Sequence, residues 1–235
     1  MNELDRLAKQ GRATDDRQMA LSSGAERRRL LAEVRDGVAA ALSAPLGEAG
    51  FRFRRRDSAF HRERDGVTLA LSSGISSRPP SMGGVGILVE PMMYAGVPTW
   101  AEDAERRLAA AAGPLLGWER PSQFIVMQAL DWDVRGRAPH WTLPDWPTPS
   151  DIEHQARALR ESVLDTAIPF LERLATKEQL LEVGASGERL VDHDARFTIA
   201  CGAMLAGQPD LARRIIEPFG TARRESVASV LGLVG

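Results

Sequence analysis

The sequence predicts an α+β protein: an antiparallel meander of about four to five strands packed with helices, plus a C-terminal αα-hairpin. Three observations carry that prediction. Leu30, Leu31, Val34, Val38, Leu42 and Leu46 recur at three- to four-residue steps, which places them on one face of a helix. From Phe51 to Leu71 the apolar residues alternate with polar ones, the period of a strand with one buried side. The last section is rich in alanine and interrupted by Gly207-Gln208-Pro209-Asp210, a helix stop followed by a helix start.

The elements follow in order. Residues 1–24 form a polar N-terminal arm with scattered Leu4, Leu7, Met19 and Leu21. The helix of the Leu30–Leu46 stripe closes at Gly47 and Gly50. Phe51 and Phe53 alternate with Arg52 and Arg54 in a first strand, Ala59–Arg62 is a second, and Val67, Leu69 and Leu71 mark a third. Asp65-Gly66 between the last two is a hairpin turn, because both residues tolerate positive φ. Ser76–Gly84 reads as a loop and Val85–Glu90 as an inner strand of the meander. A helix spans about Trp100–Ala112 and ends at Gly113-Pro114, and Gln123–Ala129 is a further strand.

Asp131–Pro149 carries four prolines and three tryptophans and reads as a long irregular stretch. Ser150-Asp151-Ile152-Glu153 fits a capping box, and Ile152 to Leu174 gives a helical stripe that Pro169 should kink or split, since proline lacks the N–H that the helix needs. Asp194–Ala206 and Leu211–Phe219 form the closing helical pair, and the apolar tail Ser226–Gly235 docks on the core. The predicted organisation is an arm (1–24), an α+β domain (25–190), and a helical hairpin and tail on the same core (191–235).

Composition limits the function classes. Hydrophobic residues make up 43% and charged residues 26% of the 235, enough for a sizeable core and against general disorder. The formal charge of −2 supplies no global field toward nucleic acid or membrane. No apolar run reaches the ~20 residues of a spanning helix. The charged start Met1–Arg12 lacks the apolar segment of a secretory signal, and a single cysteine, Cys201, fits a reducing compartment. The expected location is cytoplasmic.

No catalytic or metal constellation stands out. His61, His140, His154 and His193 lack ligand spacing with one another or with Cys201, and zinc needs three or four convergent ligands. Cys201 lies among Ala200, Gly202 and Ala203, the setting of a small buried thiol rather than a nucleophile. Gly83-Gly84-Val85-Gly86 precedes a strand without a following Lys-Ser/Thr, so it is not a phosphate loop. Asp131 and Asp133 are a weak acid–base pair, because raised pKa values need burial. No cofactor is expected.

Two features point to binding. Arg52, Arg54, Arg55, Arg56, Arg62 and Arg64 share one predicted hairpin and outnumber Asp57 and Glu63 by four, whereas residues 151–194 hold five bases and ten acids. Such a patch suits an acidic partner or a phosphate backbone, or it protects a sheet edge from pairing with another chain. Trp132, Trp141 and Trp146 lie in the proline-rich stretch, and tryptophan is enriched at binding hot spots, though rings covering a sheet give the same pattern. The candidate contact residues are Arg52, Arg54, Arg56, Trp132, Trp141 and Trp146.

Gly50-Phe51-Arg52-Phe53-Arg54-Arg55 after an amphipathic helix, then Ala59-Phe60-His61-Arg62 and Val67–Ser73, resembles the opening of a bacterial domain family of unknown function with a "GF-(K/R)-(K/R)" strand. Ala167-Ile168-Pro169-Phe170-Leu171-Glu172 is similar to that family's "lPFLe" closing helix. The motifs together span about residues 30–185. The resemblance implies a small cytosolic protein, immunity-protein-like, and brings no catalytic residues. The arm, the tryptophan-rich stretch and the hairpin at 194–219 depart from the family. The expected function is a non-catalytic protein-binding module, with a toxin-neutralising immunity protein as its specific form. The alternatives are a nucleic-acid binder using the arginine hairpin, and an enzyme whose acid–base pair is invisible in sequence.

Overall fold

A computed structural model describes residues 24–77, 86–111, 123–130, 141–144, 147–186 and 193–234. The fold is α+β. Helix α1 (Gly24–Glu48) buries Val34, Val38, Leu42 and Leu46, the stripe read from the sequence. Its end is fixed by Gly50, which takes φ of +83° while the Phe51 amide donates to the Leu46 carbonyl at 2.8 Å. Only glycine adopts that left-handed conformation cheaply.

Strands β1 (Arg52–Arg54), β2 (Ala59–Arg64) and β3 (Val67–Ser72) follow. Asp65 and Gly66 both have positive φ, 51° and 78°, the turn that matches the twist of a two-residue hairpin. The ribbon then leaves its sheet. Strand β4 (Ile75–Ser77) pairs with β5 (Ile87–Val89), while β3 pairs with β6 (Met92–Gly96). The five-stranded sheet has the order β1-β2-β3-β6-β7, with β7 at Val126–Ala129; β4-β5-β8, with β8 at Trp141–Leu143, forms a second sheet. All observed pairings are antiparallel.

This corrects two expectations. The Val85–Glu90 run does not supply a strand of the meander: β5 belongs to the smaller sheet, and the fourth meander strand is β6. The crossing point explains why. Gly74 approaches the Glu90 carbonyl so closely that a Cβ there would lie 1.7 Å from its oxygen, and the Glu90 amide donates to the Gly74 carbonyl at 3.1 Å. Both chains of the ribbon bend here, and Pro91 follows immediately. The predicted loop at 76–84 likewise begins inside β4. The second correction concerns 131–149, where Trp141–Leu143 is a strand paired with β5 rather than irregular chain.

Helix α2 (Pro98–Ala110) enters through Pro98 at its first turn, where a missing N–H costs nothing. Helix α3 (Pro149–Ser162) is capped two residues earlier than expected: the Thr148 hydroxyl accepts from the Asp151 amide and the Asp151 carboxylate accepts from the Thr148 amide. Thr148 wins over Ser150 because Pro149 is then placed at the first helical position. Pro169 acts upstream of itself. Val163–Ala167 is a π turn in which the Ile168 amide reaches back to the Val163 carbonyl, and α4 (Ile168–Glu172) restarts the helix. The wider turn accommodates the carbonyls that the proline ring would otherwise strike.

Helices α5 (Lys177–Ser186), α6 (His193–Leu205), α7 (Pro209–Ile216) and α8 (Thr221–Leu231) complete the described chain. Val227, Leu231 and Leu233 of the tail are buried. One hydrophobic cluster joins α1, one face of the five-stranded sheet and the C-terminal helices, from Val34 through Phe60, Leu69 and Met93 to Leu171, Phe197 and Ile215. No described helix is long and apolar enough to cross a membrane.

Candidate interaction surface

Register sorts the five-stranded sheet into two faces, because directly paired residues point to the same side. Phe53, Phe60, Leu71 and Met93 are aligned across β1, β2, β3 and β6. Phe60, Leu71 and Met93 are buried in the core, and Phe53 packs its ring 5.0 Å from that of Phe60. The other face carries the row Arg52, His61, Ala70, Tyr94 and Met127. Its neighbouring row is Arg54, Ala59, Ser72, Met92 and Ala129. Met127 is 60% exposed on the edge strand β7, Tyr94 and Met92 are half-buried, and Tyr94 touches the Phe124 ring at 5.1 Å. This face therefore offers cations on the β1 side and sulfur and aromatic surface on the β7 side.

The arginine cluster is not uniformly available. Arg54 pairs with Glu63 at 2.8 Å, Arg55 with Asp36 at 3.1 Å and Arg64 with Asp65 at 3.5 Å. Arg62 is structural: its side chain is 12% exposed, pairs with Glu172, donates to the Ala49 carbonyl at 3.0 Å and lies over the Phe51 ring at 4.9 Å. That hydrogen bond to Arg62 holds the Glu172 carboxyl below its ordinary pKa. Arg52 on β1 and Arg56 in the following turn are exposed and make no ion pair among the described residues.

His61 lies beneath this cluster. Its side chain is 9% exposed, and Nε2 sits 3.4 Å from the Asp57 carboxylate. Neither ring nitrogen meets hydrogen-bond geometry among the described residues. Burial first, and the Arg54 guanidinium second, hold its pKa below the usual histidine value, against the opposing pull of Asp57 and Glu63. The lowered pKa disfavours the charged ring, so the positive charge of the patch comes chiefly from arginine.

Of the predicted contact residues, the structure brings Arg52 and Arg54 onto one face and sets Arg56 at its rim. Trp132 and Trp146 lie outside the described residues, and Trp141 occupies β8 in the other sheet. Sequence reading missed His61, Tyr94 and Met127 as members of the surface. His61, Tyr94 and Met127 join the row of Arg52 only once β1, β2, β3, β6 and β7 are in register.

Asp131, Asp133, His140 and residues 83–85 lie outside the described residues; among those described, reactive chemistry is not assembled at the other positions singled out by sequence. Cys201 is fully buried in α6, and burial pushes its thiol pKa up to about 12. No group of three or more His, Cys, Asp or Glu among the described residues could hold a metal ion. Asp103, 4% exposed in α2, has its two oxygens taken by Arg106 at 2.8 Å and Arg107 at 2.6 Å, which leaves it committed to the helix. Set against models of known protein families, against curated proteins and against solved structures, the chain matches none.

Proposed function

We propose that this chain is a protein-binding module that docks an acidic segment of a partner protein on the side of its five-stranded sheet that carries Arg52, Tyr94 and Met127. The observation that carries the reading is the pair of exposed arginines without ion pairs among the described residues, Arg52 and Arg56, bordering a face that also presents Tyr94, Met92 and Met127. Arginine, tyrosine and methionine are the residue types enriched at protein interfaces, and methionine adapts its shape to a partner. Arg54 joins on contact, because its exposed pair with Glu63 is worth at most about 1 kcal/mol and is readily exchanged. The resemblance of Gly50–Arg55 and Ala167–Glu172 to an immunity-protein-like family supports a toxin as the partner. Internal pairing of Arg54, Arg55, Arg62 and Arg64 argues against a phosphate backbone, which needs many free cations.

Side-by-side affinity capture with the wild-type chain and Arg52→Glu/Arg56→Glu tests the reading. A polypeptide retained by the wild type and lost from the variant, with affinity reduced at least tenfold, supports it. Equal retention by both chains refutes it. Retention that disappears on nuclease treatment transfers the surface to nucleic acid.

A further inference from the structure

A second surface lies away from the arginine hairpin. Helices α1 and α3 pack so closely at Gly37 that a Cβ there would sit 2.9 Å from the Ile152 Cγ2. Beside this contact runs a groove of about 560 Å³, with a floor of Gly37, Ala41, Ile152 and Ala156 and with Glu33 and Arg160 among its charged margins. Small side chains leave the floor apolar and recessed, a shape that accepts one or two branched apolar side chains. We propose that the occupant is this chain's own N-terminal arm, with Leu7 and Leu4 seated in the groove.

Chain geometry selects that occupant. The arm joins α1 at Gly24, and α1 is one wall of the groove. From Gly24 to Gly37 the helix rises about 20 Å, and to Ala41 about 25 Å. An arm that turns through Leu21-Ser22-Ser23 and runs back along α1 at the same rise brings Leu7 level with Gly37 and Leu4 close to Ala41. Leu4 and Leu7 are three residues apart and so share one helical face. Residues 1–23 contain four acids and four bases, a mixed pattern compatible with margins of both signs. Tethering gives the arm an effective concentration in the millimolar range, which a second copy or a free ligand has to exceed.

Cysteine cross-linking in the full-length chain is the test. Buried Cys201 does not interfere. Leu4→Cys/Ala41→Cys is oxidised at low protein concentration beside Leu4→Cys/Ser43→Cys, whose second cysteine is exposed on the other side of α1. The expected result is an intramolecular disulfide that forms at least tenfold faster in the first pair and slows at least tenfold when Leu7→Asp is added. Equal rates in the two pairs, or a rate indifferent to Leu7→Asp, overturn the proposal. A disulfide-linked dimer in place of the intramolecular product assigns the groove to a second copy and overturns it equally.

Discussion

Replacing Gly202 with alanine measures how tightly the C-terminal helices are joined to the rest of the fold. Gly202 lies in α6 against Trp100 of α2, and a Cβ there would meet three atoms of the indole at 2.3, 2.4 and 2.7 Å. These are Cδ2, Cε2 and Cε3, part of the rigid ring system rather than a movable tip. Trp100 is itself 3% exposed, so the ring has little room to retreat. Overpacking of this kind costs about 1–3 kcal/mol, and three contacts below van der Waals distance place the cost at the upper end or beyond. Alanine recovers up to about 1 kcal/mol through its better helix propensity. A net loss of about 2–3 kcal/mol remains, and each kcal/mol moves Tm by roughly 2–4 °C in a chain of this size. Melting followed by circular dichroism should show a fall of about 4–12 °C, with a change in Trp100 emission in the native baseline. Gly47→Ala in α1 is the control, since nothing lies within 4 Å of its added Cβ; its Tm should stay level or rise. A Gly202→Ala chain as stable as the wild type would show that α6 does not rest on the indole.

Three further outcomes are expected. With its thiol pKa near 12, Cys201 is on the order of one part in ten thousand thiolate at pH 8, so a disulfide reagent should label it only after denaturation, and fast native labelling would contradict the burial. For His61 the folded pKa lies below the unfolded value of about 6.5, so the unfolded state takes up the proton first. Its contribution is complete above that value and is lost as pH falls through it toward the folded pKa. The wild-type Tm should decline between pH 7.5 and 5, and His61→Phe should flatten that slope; the carboxylates held low, Glu172 and Asp151, act below this window. Identical slopes would remove His61 as the cause. Arg62→Ala should cost about 2–3 kcal/mol and Glu172→Gln about 1 kcal/mol, with chemical denaturation of the double variant revealing a favourable coupling between them; strictly additive losses would show that the pair is incidental.

Elements with one clean period were legible from sequence. The α1 stripe, the β1–β3 alternation and the Asp65-Gly66 turn follow from local rules, and so does the break at Pro169. Strand β6 was not legible, because Met92 and Tyr94 leave its open side apolar too and erase the alternation. Helix α5 has only Leu180, Leu181 and Val183 to mark it, too short a stripe to stand out. The division into two sheets depends on Gly74 meeting Glu90, a contact between segments whose adjacency is set by tertiary pairing. The site divides the same way. Which arginines cluster on the hairpin is written in the sequence, and Glu63 and Asp65 pair with two of them locally, but the pairing of Arg55 and Arg62 depends on Asp36 and Glu172, brought in from helices distant along the chain.

Arg56 separates the two explanations of the cluster. Strand β1 is an outer strand of its sheet, three residues long, and charged side chains there discourage pairing with another molecule. That role accounts for Arg52 and Arg54, which lie on the strand. It does not account for Arg56, which lies beyond the end of β1 in the turn before Ala59, where no ladder could form. An unpaired cation in a turn adds little to stability and nothing to edge protection, so Arg56→Glu alone should leave melting and solubility unchanged. If the same substitution weakens capture of a partner, the charge at that position serves recognition.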